Sequence, residues 1–140
     1  MGEFRHSLDP KGRMIIPSKF RELLGENFVI AKGQNNCLYG YPERTWELII
    51  EGIKTGPMEA TQKQKVVRFF YSGASECEFD KQGRINIPNN LSEYAQLEKE
   101  CVVIGVQDRF EIWGKEAWES YVQDASAEFN ALEFNPFESF

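Results

Sequence analysis

The sequence predicts an α+β fold in which two copies of one unit share a single barrel-like core about a pseudo-two-fold axis. Three observations predict it. The stretch Asp9-Pro10-Lys11-Gly12-Arg13-Met14-Ile15-Ile16-Pro17 returns as Asp80-Lys81-Gln82-Gly83-Arg84-Ile85-Asn86-Ile87-Pro88, 71 residues later. The stripe Trp46, Ile49, Ile50 and Ile53 returns as Trp118, Tyr121, Val122 and Ala125, 72 residues later. A slip of one residue across a half-chain marks an internal duplication. The third observation is length: 140 residues suit one domain, whereas halves of about 50 residues are marginal alone. The two halves therefore bury one core between them.

Each half reads strand, turn, strand, helix, strand, strand, helix. In the first, Phe4, His6 and Leu8 alternate with Glu3, Arg5 and Ser7, the period of a half-buried strand. Asp9, Pro10 and Gly12 fit the first, second and fourth positions of a type I turn. A left-handed Gly12 closes a three-residue hairpin loop with a bulge. Arg13 opens the outgoing strand, and Pro17 ends it because Pro has no ladder N–H to donate. Ser18 reads as an N-cap, with Phe20, Leu23 and Leu24 on one face of a short helix that Gly25 stops. Phe28-Val29-Ile30 is a strand, Gly33 to Asn36 a turn, and Leu38-Tyr39 the start of another strand. Pro42 introduces the Trp46 helix, whose i, i+3, i+4, i+7 stripe is core rather than a cofactor box.

Gly56-Pro57 separates the halves. Residues 60–71 add a helix with Val66, Val67 and Phe70 on one side, and then the plan repeats through the Trp118 helix. The repeats are set at residues 5–47 and 76–119, followed by an acidic extension over 120–140. Phe129, Phe134, Phe137 and Phe140 stand in that extension among acids. It is either a frayed tail or an arm that docks on a neighbour. The arm is favoured, since four exposed Phe are an association liability.

Composition narrows the classes. No apolar run approaches 18 residues and no charged-then-apolar leader is present, so the expectation is neither a membrane span nor secretion. Cys37, Cys77 and Cys101 are odd in number and widely spaced, which suits a reducing cytosol and small buried hydrophobes. The net charge of −6 does not decide the partner. Residues 116–140 hold six acids and no Lys or Arg, while residues 1–21 carry Arg5, Lys11, Arg13, Lys19 and Arg21 against Glu3 and Asp9. Local positive potential coexists with an acidic whole.

Enzyme chemistry finds little support. The single His, His6, falls on the apolar face of a strand, and no Cys-x-x-Cys, His-x-x-x-His or nucleophile elbow occurs. No metal or cofactor is expected. The two turns offer other chemistry. Arg13 carries a planar fork of donors suited to phosphate or to guanine O6 and N7, and Asp9 stands where it can hold that fork. The competing reading is that Asp9 and Arg13 only brace the turn. The recurrence of the same pair at Asp80 and Arg84 favours function.

The run Met1 to Asp9, then Pro17-Ser18-Lys19-Phe20-Arg21, Tyr71 to Cys77 and both Asp-x-x-Gly-Arg turns resemble the MraZ family over residues 1–125. The resemblance implies tandem AbrB-like swapped-hairpin β-barrel repeats with flanking helices, assembled as a ring homo-oligomer. It also implies a cytoplasmic, nucleoid-associated transcriptional repressor of its own operon of cell-division and cell-wall genes. The partner implied is double-stranded DNA, and direct promoter repeats are expected because ring subunits all face the same way. Carried onto this chain, the contact residues are Arg13 first, with Lys11, Asp9, Arg5, Arg84, Lys81 and Asp80. A second reading stays open: a ring-forming protein-interaction module acting through the turns and the acidic Phe-rich tail.

Overall fold

The structure is a computed structural model that describes residues 2–138. It is α+β, with eight strands in two antiparallel sheets and five α-helices. The first half comprises β1 (Glu3–Ser7), β2 (Arg13–Ile15), α1 (Ser18–Leu24), β3 (Asn27–Lys32), β4 (Leu38–Pro42) and α2 (Glu43–Thr55). The connecting helix is α3 (Ala60–Ser72). The second half comprises β5 (Ala74–Glu78), β6 (Arg84–Asn86), α4 (Asn89–Tyr94), β7 (Glu100–Val106), β8 (Arg109–Gly114) and α5 (Lys115–Asn130).

The two strands flanking each turn do not pair with each other as a hairpin ladder. β1 pairs with β7, β5 pairs with β3, and β2 pairs with β6, so each half completes its sheet with strands of the other. Burial explains the exchange. β2 is three residues long between Gly12 and Pro17, too short to bury a face against β1 alone. Paired with β6, it sets Met14 directly opposite Ile85, both buried at the centre of the molecule. Tyr39 likewise faces its repeat counterpart Glu111 across β4 and β8. The pseudo-two-fold axis therefore passes between Met14 and Ile85 and between Tyr39 and Glu111.

The expected barrel is not closed. Six strands run in the order β1-β7-β8-β4-β3-β5, with β1 and β5 at its ends, and β2-β6 forms a separate ribbon. The ribbon, α1 and α4 lie on one face of the large sheet and enclose the main core with it. That core joins Met14, Phe20, Leu24, Phe28, Ile30, Leu38, Ile85, Leu91, Val103, Phe110 and Ile112. On the opposite face, Cys37, Val102 and Trp113 form a smaller cluster roofed by Ala117 and Trp118 of α5. Cys37, Cys77 and Cys101 are free thiols, the first and last buried. Burial pushes them up, to about 12 for Cys37 and about 11 for Cys101.

Two local expectations need correction. Ser18 is the first residue of α1 rather than its cap; Pro17 holds the cap position and accepts the Phe20 N–H at 3.0 Å. Pro88 does the same at α4, where its carbonyl accepts the Leu91 N–H. The two tryptophan stripes are also not equivalent. Trp46 on α2 stacks on Phe70 of α3 with ring centroids 4.3 Å apart, and Ile50 is buried. Among the described residues no second copy of α3 covers α5, and Tyr121 and Val122 are exposed. The helix α5 runs unbroken through residue 120, and Phe129 meets Phe137 of the following segment at 5.6 Å. Phe140 lies outside the described residues.

Candidate nucleic-acid interface

Each turn is built by its aspartate. Gly12 N–H donates to Asp9 O at 3.0 Å and Asp9 N–H to Arg13 O at 2.9 Å, which closes the loop with Gly12 at φ +80°. Only Gly adopts that left-handed region cheaply. Asp9 Oδ1 accepts the N–H groups of Lys11 and Arg13, both at 2.9 Å. Its Oδ2 accepts Arg13 Nε at 2.9 Å. The Arg13 backbone N–H, then its side chain and the Lys11 N–H, hold the Asp9 carboxyl below the usual carboxylate range.

The second turn repeats this at Asp80–Arg84. Gly83 has φ +75°, Asp80 Oδ1 accepts the Gln82 and Arg84 N–H groups at 2.9 Å, and Oδ2 accepts Arg84 Nε at 2.8 Å. Asp80 is lowered for the same reasons, the Arg84 N–H foremost. Bracing and function are therefore not alternatives. The brace uses Nε and leaves the outer edge of the guanidinium for other acceptors.

The turns differ in one contact. Arg84 Nη2 donates to Gln82 Oε1 at 2.8 Å. The counterpart of Gln82 is Lys11, which cannot accept, and Arg13 Nη1 and Nη2 make no hydrogen bond among the described residues. Arg13 is thus the freer fork, while Lys11 and Lys81 are exposed at the two tips.

The ribbon fixes how the turns relate. Arg13 lies opposite Asn86 and Ile15 opposite Arg84, so these four side chains share the solvent face while Met14 and Ile85 point inward. Ile87 N–H donates to Gly12 O at 2.8 Å and Ile16 N–H to Gly83 O at 3.3 Å, which fastens each turn to the other half. The result is a short two-stranded ribbon with an arginine near each end. A two-stranded ribbon fits the major groove, where arginine forks pair with guanine.

The structure brings Asp9, Lys11, Arg13, Asp80, Lys81 and Arg84 onto this ribbon and its two tips. It does not bring Arg5 there. Arg5 lies on the outer face of β1, within 3.7 Å of Glu3 and of Glu119 on α5, across the sheet from the ribbon. One neighbour was not anticipated: Arg21 of α1 lies against Gly83, where an added Cβ would overlap its guanidinium. Its Nε is buried with no hydrogen-bond partner among the described residues. A further missed group, Glu111, is buried but satisfied by Arg109 at 2.7 and 3.0 Å and by Trp113 Nε1 at 3.0 Å. It holds the opposite sheet face together and is remote from the ribbon.

Comparison with known sequences bears on this geometry. The family model described as "MraZ protein, putative antitoxin-like" matches twice, over residues 1–69 and 70–137. The chain belongs to the MraZ family. A transcriptional regulator MraZ of Desulforamulus reducens is 52% identical over 135 residues, covering 96% of this chain and 95% of that relative. The protein of the same name from Lactiplantibacillus plantarum is 51% identical, with the same coverage. That from Natranaerobius thermophilus is 53% identical over 94% of this chain and 92% of its own length. No helix among the described residues is long and apolar enough to cross a membrane.

Proposed function

We propose that this MraZ-family chain is a sequence-specific DNA-binding transcriptional regulator that reads base edges through the ribbon and its Asp-x-x-x-Arg turns. The observation that carries this is Arg13: an arginine oriented by Asp9 through Nε, with Nη1 and Nη2 making no hydrogen bond among the described residues and its side chain part-exposed. The relatives are named as transcriptional regulators rather than enzymes, which fits a non-catalytic role. The finer reading is repression of its own cell-division and cell-wall operon, at direct repeats, in the cytoplasm and at the nucleoid. The exchange of β1 and β5 between halves supports an AbrB-like, swapped-hairpin relationship. A ring homo-oligomer is supported by the apolar side chains left exposed on α3 and α5, including Phe69, Tyr121 and Val122.

The exposed Phe129, Phe134 and Phe137 favour a second reading, in which the tail binds protein partners. A gel shift on the DNA upstream of the chain's own coding sequence separates the two. Native protein and a variant truncated after Asn130 should retard the probe, and Arg13→Ala should do so only at higher protein concentration. No retardation by the native protein would favour the tail, and equal retardation by Arg13→Ala and native protein would remove Arg13 from the site.

A further inference from the structure

The two turns are near copies, and a ribbon with true two-fold symmetry would read a DNA element equally in either direction. A directional element requires ribbon positions where the repeats differ. Within the strands the outward positions are Arg13 and Ile15 on β2 and their counterparts Arg84 and Asn86 on β6. The arginines match. Ile15 and Asn86 do not, although they occupy the same position of the repeat.

Neither residue is explained by the fold. Ile15 is 46% exposed between two charged neighbours of the ribbon, while inward burial is carried by Met14 and Ile85. Asn86 is a poor strand former at the exposed end of β6, and its side-chain amide makes no hydrogen bond among the described residues. Its Oδ1 sits beside the first turn, 3.6 Å from where a Cβ on Gly12 would lie, and Arg13 is its direct cross-strand partner. One end of the ribbon therefore presents a guanidinium beside a free amide, and the other a guanidinium beside an apolar branch. Base edges in the major groove answer both: asparagine pairs with adenine N6 and N7, and apolar side chains pack on the thymine methyl. Three residues of strand span about 10 Å, roughly three base pairs.

We propose that Asn86 and Ile15 are specificity-determining residues that give the ribbon its direction, Asn86 by contacting an adenine beside the base read by Arg13 and Ile15 by packing on a thymine methyl beside the base facing Arg84. This inference rests on the DNA-binding reading above and names what the same surface recognises.

The test uses the full chain and a duplex enriched by the native protein from a random library. Each adenine is replaced in turn by 7-deazaadenine, which lacks N7, and each thymine by uracil, which lacks the methyl. Native protein should lose about 5- to 150-fold at one adenine and about 4-fold at one thymine. Asn86→Ala should bind the deaza and parent probes alike, and Ile15→Ala the uracil and parent probes alike. Both variants should keep the native melting temperature, because both side chains point outward. Native protein indifferent to every analogue, or variants as sensitive as native, would overturn the inference. If native preference is abolished by Arg13→Ala yet blind to both analogues, only this inference falls. A native protein with no sequence preference would overturn the DNA-binding reading with it.

Discussion

Arg84 donates from Nη2 to Gln82 Oε1 at 2.8 Å, whereas Lys11 stands at the corresponding place beside Arg13 and offers no acceptor. Two turns of the same backbone geometry thus present arginines of unequal availability. Arg13→Ala should lower discrimination at a contacted base pair by about 1–3 kcal/mol, with little change in stability. Arg84→Ala should cost less, and Gln82→Lys should narrow the difference by releasing the Arg84 fork. Competition gel shifts against single-base variants measure each step. A large loss of melting temperature with normal DNA binding in Arg13→Ala would make it a brace only.

The glycines give a separate handle on the turns. Gly12 and Gly83 sit at φ +80° and +75°, where a side chain costs about 1–2 kcal/mol. Gly12→Ala should destabilise by that amount, its Cβ meeting Ile87 O at 3.2 Å. Gly83→Ala must also displace the Arg21 guanidinium, so the double variant Gly83→Ala/Arg21→Ala should recover part of the loss. Urea denaturation of the four proteins decides this.

How far the sequence could be read depends on what each pattern encodes. Asp9, Pro10 and Gly12 specify a local backbone shape, and the turn forms as their chemistry dictates. The alternation of Phe4, His6 and Leu8 specifies which face of β1 is buried but says nothing of which strand lies beside it. The partner, β7, comes from the other half, as β6 does for β2. Arg5 shows the same limit. It alternates with Phe4 and His6 on β1, and its side chain stands on the sheet face away from the ribbon, beside Glu3 and Glu119. The Glu111 network did leave a trace, since Arg109, Glu111 and Trp113 recur at period two on one strand face. Arg21 left none: its contact with Gly83 joins residues 62 apart.

His6 makes stability depend on pH. It lies on the core side of β1, and burial lowers its pKa from the ordinary 6.5. The unfolded chain then takes up a proton more readily than the folded one. Its contribution is complete above about pH 6.5 and is lost as pH falls below that value. Urea midpoints at pH 7.5 and 5.5 should show a fall that is smaller in His6→Gln. An unchanged fall in the variant would assign the loss to other groups.

The exposed edges of Tyr121 and Val122 on α5 bear on assembly and therefore on affinity. Residues 1–115 carry equal numbers of acidic and basic side chains, so a single ribbon has weak general attraction for DNA, and several ribbons on one particle raise it through effective concentration. Native protein should scatter light as a homo-oligomer well above a dimer at micromolar concentration. Tyr121→Glu/Val122→Glu should reduce its size. If three or four ribbons each neutralise about two phosphates, the slope of log affinity against log salt should lie at roughly −5 to −7. The dissociated variant should show a slope several-fold shallower.

Symmetry finally constrains the target. Ribbons on a closed cyclic ring all run the same way around its axis, whereas the subunits of a two-fold dimer oppose one another. Operators mirror the symmetry of the protein that reads them, so a ring should protect repeats in one orientation rather than a palindrome. Neighbouring ribbons meet the same groove face only when repeats are about one helical turn apart, roughly 10–10.5 bp. Inserting about half a turn between repeats turns the second away from its ribbon and should reduce affinity to that of a single repeat. Inserting a full turn restores the face but stretches the span, so binding should recover only in part. Footprinting on the three spacings reads the result directly. A lone inverted repeat in the footprint would instead assign recognition to one pseudo-symmetric unit using Arg13 and Arg84 together, and the ring would then have no part in choosing the site.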